Sequence, residues 1–148
     1  MMIGYHNKPE ETAYALREGY MYTGDIGYVD EDGFLFLVDR KKEMMIVGGF
    51  NVYPREVEDA LGSHPSVAVA SVFGIADDRW GEAVTAAVVL REGEAGDPEA
   101  LIAHVRKLKG PHQTPKVIHF VDALPLTPVG KPDKKALRVQ YARVPAES

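Results

Sequence analysis

The spacing of apolar positions changes along this chain, and the changes mark its elements. In residues 8–18 (KPEETAYALRE), Ala13, Leu16 and the neighbouring Tyr14 form a helical stripe behind a first-turn proline and clustered acids, so a short helix ended by Gly19 is expected. Residues 20–38 switch to apolar and polar alternation on either side of Asp32-Gly33, the signal of a β-hairpin. A second hairpin is expected in MMIVGGFNVYP (44–54), with its tip at Gly48-Gly49. Two adjacent glycines there imply positive φ or a close backbone approach.

Pro54 opens a helix over PREVEDALGSH (54–64), with Val57 and Leu61 four apart on one face and Glu56, Glu58 and Asp59 elsewhere. Residues 67–75 and 82–91 are β-rich runs separated by the polar ADDRWG, which predicts two strands paired in one sheet. Asp97-Pro98 reads as the N-cap and first-turn proline of a further helix, whose buried stripe is Leu101, Ile102, Val105 and Leu108. The loop GPHQTP leads to a strand in KVIHFVDAL, then a loop rich in proline and glycine leads to a closing helix over about 133–142. From about residue 43 the order is hairpin, helix, strand, strand, helix, strand, helix. That order predicts an α+β fold, a small β-sheet covered by helices. Residues 1–41 fit it less well and read as the trailing helix and hairpin of a larger N-terminal domain, with 42–148 as a separate domain. On this reading the chain starts partway through a longer protein.

Composition narrows the chemistry. With 148 residues, 45% hydrophobic and 26% charged, the chain is long and apolar enough to bury a core, which excludes the disordered and fibrous classes. It has no cysteine, so disulfides, thiol nucleophiles and thiolate zinc sites are excluded. The histidines at 6, 64, 104, 112 and 119 lack metal-ligand spacing, and no metal is expected on this chain. No apolar run is long enough to span a bilayer and the start lacks leader features, so a cytoplasmic location is expected. The net charge of -5 is uneven: residues 1–100 hold 8 basic and 19 acidic side chains, residues 101–148 hold 9 and 3. A basic end beside an acidic body suits a small anion such as a phosphate or carboxylate, though a solvated helix face gives the same count. Nucleic acid is disfavoured, because the basic residues are scattered without interleaved aromatics.

Three segments in register carry a resemblance. They are Tyr22-Thr23-Gly24-Asp25; Asp39-Arg40-Lys41-Lys42 through Gly48-Gly49 to Pro54, Glu56 and Glu58; and Pro125-Leu126-Thr127-Pro128-Val129-Gly130-Lys131. Together they resemble the C-terminal end of the adenylate-forming (AMP-binding) superfamily of acyl-CoA synthetases, peptide-synthetase adenylation domains and firefly-type luciferases. The wording is most like a fatty-acyl-CoA synthetase, and the likeness runs from Gly4 to Arg138. It implies a two-step reaction, in which a carboxylate attacks the α-phosphorus of ATP to give acyl adenylate and pyrophosphate, and the CoA thiol then displaces AMP. ATP and CoA would be substrates. Mg2+ would serve the full-length enzyme without being bound by this chain. The partner would be the missing N-terminal domain, which holds the acyl pocket, and the isolated chain would be inactive.

The resemblance implies roles for particular residues. Lys131 would be the catalytic cation, a compact charge relieving repulsion between carboxylate and phosphate, on a Gly- and Pro-flanked loop able to swing. Asp25 would accept hydrogen bonds from the ribose diol and Arg40 would reach ribose and phosphate, against plainer readings as a turn aspartate and an ion pair to Asp39 or Glu43. Lys42 falls at the family's hinge. Gly48 and Gly49 would line the channel for the CoA arm, flanked by Phe50 and Asn51, and Trp80 would pack on CoA or simply cap the sheet. One segment departs from the family: Pro111-His112-Gln113-Thr114-Pro115-Lys116 stands where many members have an aromatic-lysine pair, leaving Lys109 and Lys116 as candidates for the CoA phosphates. Two other readings remain, a peptide-synthetase adenylation fragment and a non-catalytic interaction module with the same fold. Trp80-Gly81-Glu82 argues against the first, and Lys131 with Asp25 and Arg40 against the second.

Overall fold

A computed structural model describes residue 4 and residues 6–142; the start of the chain, read above for leader features, lies largely outside them. The chain forms two compact units, Met1–Lys42 and Glu43–Ser148.

The first unit holds α1 (Pro9–Ala15), β1 (Leu16–Arg17), β2 (Tyr20–Met21), β3 (Asp25–Val29) and β4 (Leu35–Arg40). The helix expected over 8–18 ends at Ala15, because Glu18 and Gly19 take φ of 53° and 80°. Two successive positive φ values make the mirror-image turn of a tight hairpin, which sets Leu16 opposite Met21 and Arg17 opposite Tyr20. Of the expected stripe, Ala13 and Tyr14 are exposed and Leu16 is half-buried, and the helix instead buries Ala15, which lay outside it. The hairpin expected over 20–38 is therefore two ribbons, and the longer one pairs β3 with β4 around Asp30, whose Oδ1 accepts the Asp32 and Phe34 N–H groups at 3.0 and 2.9 Å. Along it Tyr28, Val29, Leu35, Phe36 and Leu37 are all exposed, although adjacent strand residues point to opposite faces. A two-stranded ribbon with apolar side chains on both faces is marginal without a cover.

The second unit follows the expected order: β5 (Met45–Val47), β6 (Phe50–Val52), α2 (Pro54–Gly62), β7 (Val67–Asp77), β8 (Gly81–Leu90), α3 (Pro98–Lys109), β9 (Val117–Phe120) and α4 (Lys134–Tyr141). β8 is central. It runs antiparallel to β7 from Val67↔Leu90 to Asp77↔Gly81, while its other edge meets β5 at Val47↔Gly81 and parallel β9 from Thr85↔Val117 to Val88↔Phe120. A parallel neighbour needs a crossover, which α3 supplies. Val72, Val84, Ala86 and Val88 join Val57, Leu61, Leu101 and Val105 from α2 and α3 in one core, while Phe73 and Ala87 meet Leu137 of α4 in another. Burial on both faces explains why β8 reads as a continuous apolar run. Leu108, expected in the stripe of α3, is 53% exposed and Ile102 is only partly buried. Burial fades where Arg106, Lys107 and Lys109 bring the last turn into solvent.

Lys134 ties several elements together. Its Nζ lies 2.7 Å from Glu58 Oε1 and 3.4 Å from Glu43 Oε2, its side chain is 13% exposed, and the same Glu58 oxygen accepts the Val72 N–H. Lys134→Met would leave two half-buried carboxylates facing each other, and is expected to lower stability by about 1–3 kcal/mol, read from the urea midpoint. An unchanged midpoint would show the triad to be idle.

His119 on β9 stacks on Tyr141 of α4, with centroids 3.9 Å apart, and burial holds its pKa below the ordinary histidine value. The native state therefore binds fewer protons at this site than the unfolded chain does. Its share of stability is complete above the unfolded value of about 6.5 and is lost as the pH falls through it toward the folded value. The urea midpoint is expected to drop between about pH 7.5 and 5.5, and to drop less in His119→Phe, which keeps the stack without the titration. Equal slopes in both proteins would contradict this.

Candidate functional site

Lys131 follows a turn that the local sequence closes on itself. The Gly130 N–H donates to the Thr127 carbonyl at 2.9 Å, the Thr127 N–H to the Lys131 carbonyl at 2.7 Å, and the Lys131 N–H to Thr127 Oγ1 at 3.3 Å. Leu126 and Pro132 bridge beneath it. Pro128 fixes one φ of the turn, and Gly130, at φ 83°, takes the left-handed position that closes it. Behind the turn the Asp133 N–H donates to the Pro125 carbonyl, and the Asp133 carboxylate caps α4 through the Ala136 N–H. The loop expected to swing carries these hydrogen bonds within itself, and none of them uses the lysine side chain. Lys131 is exposed beside Val129, itself 80% exposed, and its ammonium has no ion-pair partner among the described residues.

In the first unit Asp25 and Arg40 are a cross-strand pair, and Arg40 Nε lies 3.0 Å from Asp25 Oδ1. Arg40 therefore pairs with Asp25, where the plainer expectation had Asp39 or Glu43. Asp39 instead accepts the Arg40 backbone N–H, and Glu43 is held by Lys134. The guanidinium fixes one carboxylate oxygen of Asp25 and leaves acceptor capacity on the other. Lys42 lies in the 3-10 turn Lys41–Glu43, exposed, where the two units divide.

Gly48 and Gly49 form the two-residue tip between β5 and β6, with φ of 57° and 84°. Their surroundings differ. A Cβ on Gly48 would lie 2.7 Å from Trp80 Cε3, whereas one on Gly49 would meet nothing within 4 Å. The Gly48 N–H also donates to the Trp80 carbonyl at 2.8 Å. Trp80 is oriented in turn by Asp77, whose Oδ1 accepts the Trp80 and Arg79 N–H groups and whose Oδ2 meets Lys116 Nζ at 2.9 Å. The Lys116 hydrogen bond, followed by the Trp80 N–H, holds the Asp77 carboxyl below its usual range.

Beside this cluster lies a cavity of about 390 Å³ lined by Val47, Trp80, Ile102, Arg106, His112 and Lys116 among others. The segment that departs from the family pattern forms one wall, and His112 stacks on Phe50 with centroids 3.8 Å apart. One indole face, apolar flanks and two cations suit a ligand that joins a slender or flat apolar part to an anion. The sequence reading missed Asp77 and Arg106. Arg106 was within reach of it, since it falls four residues after Ile102 on one side of the α3 stripe. Asp77 was not, because its role depends on the β7–β8 turn. No group of three histidine or carboxylate side chains gathers as a metal set among the described residues.

Comparison with known proteins supplies the context. The chain is 50% identical to the medium/long-chain-fatty-acid–CoA ligase FadD8 of Mycobacterium tuberculosis, covering 93% of this chain and 25% of that protein. It is 48% identical to the 2-succinylbenzoate–CoA ligase of Geobacillus kaustophilus, covering 82% and 25%. Among solved structures, the amide bond synthetase McbA from Marinactinospora thermotolerans matches with a TM-score of 0.87 at 47% identity, over 95% of this chain and 29% of that one. The chain spans about a quarter of the length of the curated relatives it matches. These relatives are named for different acids and acceptors, so the likeness fixes no substrate. Residues 56–131, just over half of the chain, match the family model itself, and the chain belongs to the AMP-binding enzyme C-terminal domain family.

Proposed function

We propose that this chain is the C-terminal part of an ATP-dependent, AMP-forming acyl-CoA ligase that activates a fatty acid, with residues 1–41 ending the large N-terminal domain and 42–148 forming a lid. In the first step a carboxylate oxygen bonds to the α-phosphorus of ATP and pyrophosphate leaves. In the second, the CoA sulfur bonds to the acyl carbon, AMP leaves with the anhydride oxygen, and the thiol proton is released. Lys131 supplies the positive charge that lets two anions meet in the first step. Asp25, steadied by Arg40, accepts the ribose hydroxyls. Lys42 is the pivot between the steps, and Gly48, Gly49 and Trp80 border the CoA arm.

The observation that carries this reading is the Lys131 ammonium, exposed and without an ion-pair partner among the described residues, on a tip that its own hydrogen bonds hold in shape. A surface lysine without a task gains nothing from such a mount. The N-terminal domain is the partner, and its cover accounts for the apolar faces of the β3–β4 ribbon. ATP and CoA are substrates, Mg2+ is left to the N-terminal domain, and the cytoplasm is the compartment.

The test is the full-length protein assayed with ATP, Mg2+, medium- and long-chain fatty acids and either CoA or simple amines. Equal yields of AMP, pyrophosphate and acyl-CoA are expected. Amide product with no thioester would favour an amine acceptor, as the name of McbA suggests for that relative. No pyrophosphate with any acid would favour a binding module.

A further inference from the structure

The glycine-tipped hairpin is not laced to the sheet by an ordinary ladder. β5 meets β8 at one register pair, Val47↔Gly81, which leaves the hairpin short of backbone partners. One backbone bond flanks that pair, and a side chain takes the place of the next. The Trp80 carbonyl accepts the Gly48 N–H at 2.8 Å and the Trp80 ring fills the space a side chain at 48 would need. Gly81, at φ 81°, turns the strand, and Glu82 Oε2 accepts the Ile46 N–H at 2.8 Å. The other oxygen of Glu82 has a prepared seat. A Cβ on Gly74 would lie 2.5 Å from Glu82 Oε1 and 3.0 Å from Met45 Cγ, so a side chain on β7 there would have to displace the carboxylate.

We infer that Glu82 is a positioning residue, a carboxylate that stands in for a missing ladder partner and fixes the β5–β6 hairpin at the angle needed to border the CoA arm. A carboxylate accepting a backbone N–H is among the stronger neutral-to-ion hydrogen bonds, and it acts here between β5 and β8, where Ile46 is 51% exposed. The inference rests on the reading of this chain as the lid of a CoA-using enzyme. The device itself, a side chain replacing a strand, does not.

Two measurements separate these levels. Amide hydrogen exchange on the 148-residue chain compares wild type with Glu82→Ala, Glu82→Gln and Gly74→Ala. In Glu82→Ala the Ile46 and Gly48 amides are expected to exchange about tenfold faster or more while Val72 and Val88 hold, with Glu82→Gln, which keeps one acceptor oxygen, in between. Gly74→Ala, which crowds the carboxylate without removing it, is expected to behave like Glu82→Ala and serves if that variant does not fold. In the full-length enzyme, Glu82→Ala is expected to raise the KM for CoA about tenfold with pyrophosphate release within about twofold of wild type, and Glu82→Gln is expected to recover most of the loss. Unchanged exchange at Ile46 overturns the device, and equal losses in both half-reactions reduce Glu82 to a merely structural role. An enzyme that makes pyrophosphate but no thioester sinks the CoA reading, while the exchange result still judges Glu82.

Discussion

Changing Lys131 to alanine in the full-length enzyme is expected to slow acyl-adenylate formation by about 10²–10³-fold, the range found when one preorganised charge donor is removed from a transition state. Transfer from preformed acyl adenylate to CoA is expected to stay within about threefold, because on the proposed reading the repulsion assigned to Lys131 is already past. The structure sharpens this expectation. Thr127, Gly130 and the Lys131 backbone close the tip through hydrogen bonds that do not involve the lysine side chain, so the substitution leaves the mount intact. Arginine is not a substitute, since a planar fork distributes the charge that an ammonium concentrates. Rapid-quench measurement of pyrophosphate release gives the first rate, and thioester formation from synthetic adenylate gives the second.

The second large effect is expected at Gly48. Alanine there must hold φ near 57° and place a methyl group 2.7 Å from the Trp80 ring, so the ring or the hairpin has to move. A loss of about 2–3 kcal/mol is expected, combining left-handed strain with overpacking. Gly49→Ala isolates the strain: its φ is 84° but its Cβ would meet nothing within 4 Å, so only about 1 kcal/mol is expected. Trp80 is the only tryptophan, so its fluorescence reports the displacement directly. Urea midpoints that fall equally in the two variants would show that the contact with Trp80 carries no energy.

What the sequence made legible follows from how local each signal is. Pro54 and Pro98 open their helices where expected, and Asp97 caps the second, since these signals act within one turn. The hairpin at Gly48-Gly49 was legible for the same reason. The end of α1 was not, because Glu18 takes a positive φ that its residue type does not announce. The Asp25–Arg40 pair escaped because it depends on a register that slips between Ile26 and Gly27, which no alternation count reveals. Gly48 was legible as a turn residue but not as the floor beneath Trp80, since that contact is made only once β7 and β8 have paired. The cavity wall at His112 and Lys116 stood out as a departure from a family pattern, and only the stack on Phe50 and the bond to Asp77 gave it a place.

Both half-reaction rates, taken side by side on Lys131→Ala and Gly48→Ala in full-length enzyme, test the central idea that one lid serves two steps with different residues. The expected result is a crossing: the lysine variant loses adenylate formation and keeps transfer to CoA, while the glycine variant keeps adenylate formation and loses transfer. Proportional losses of both rates in both variants would contradict it.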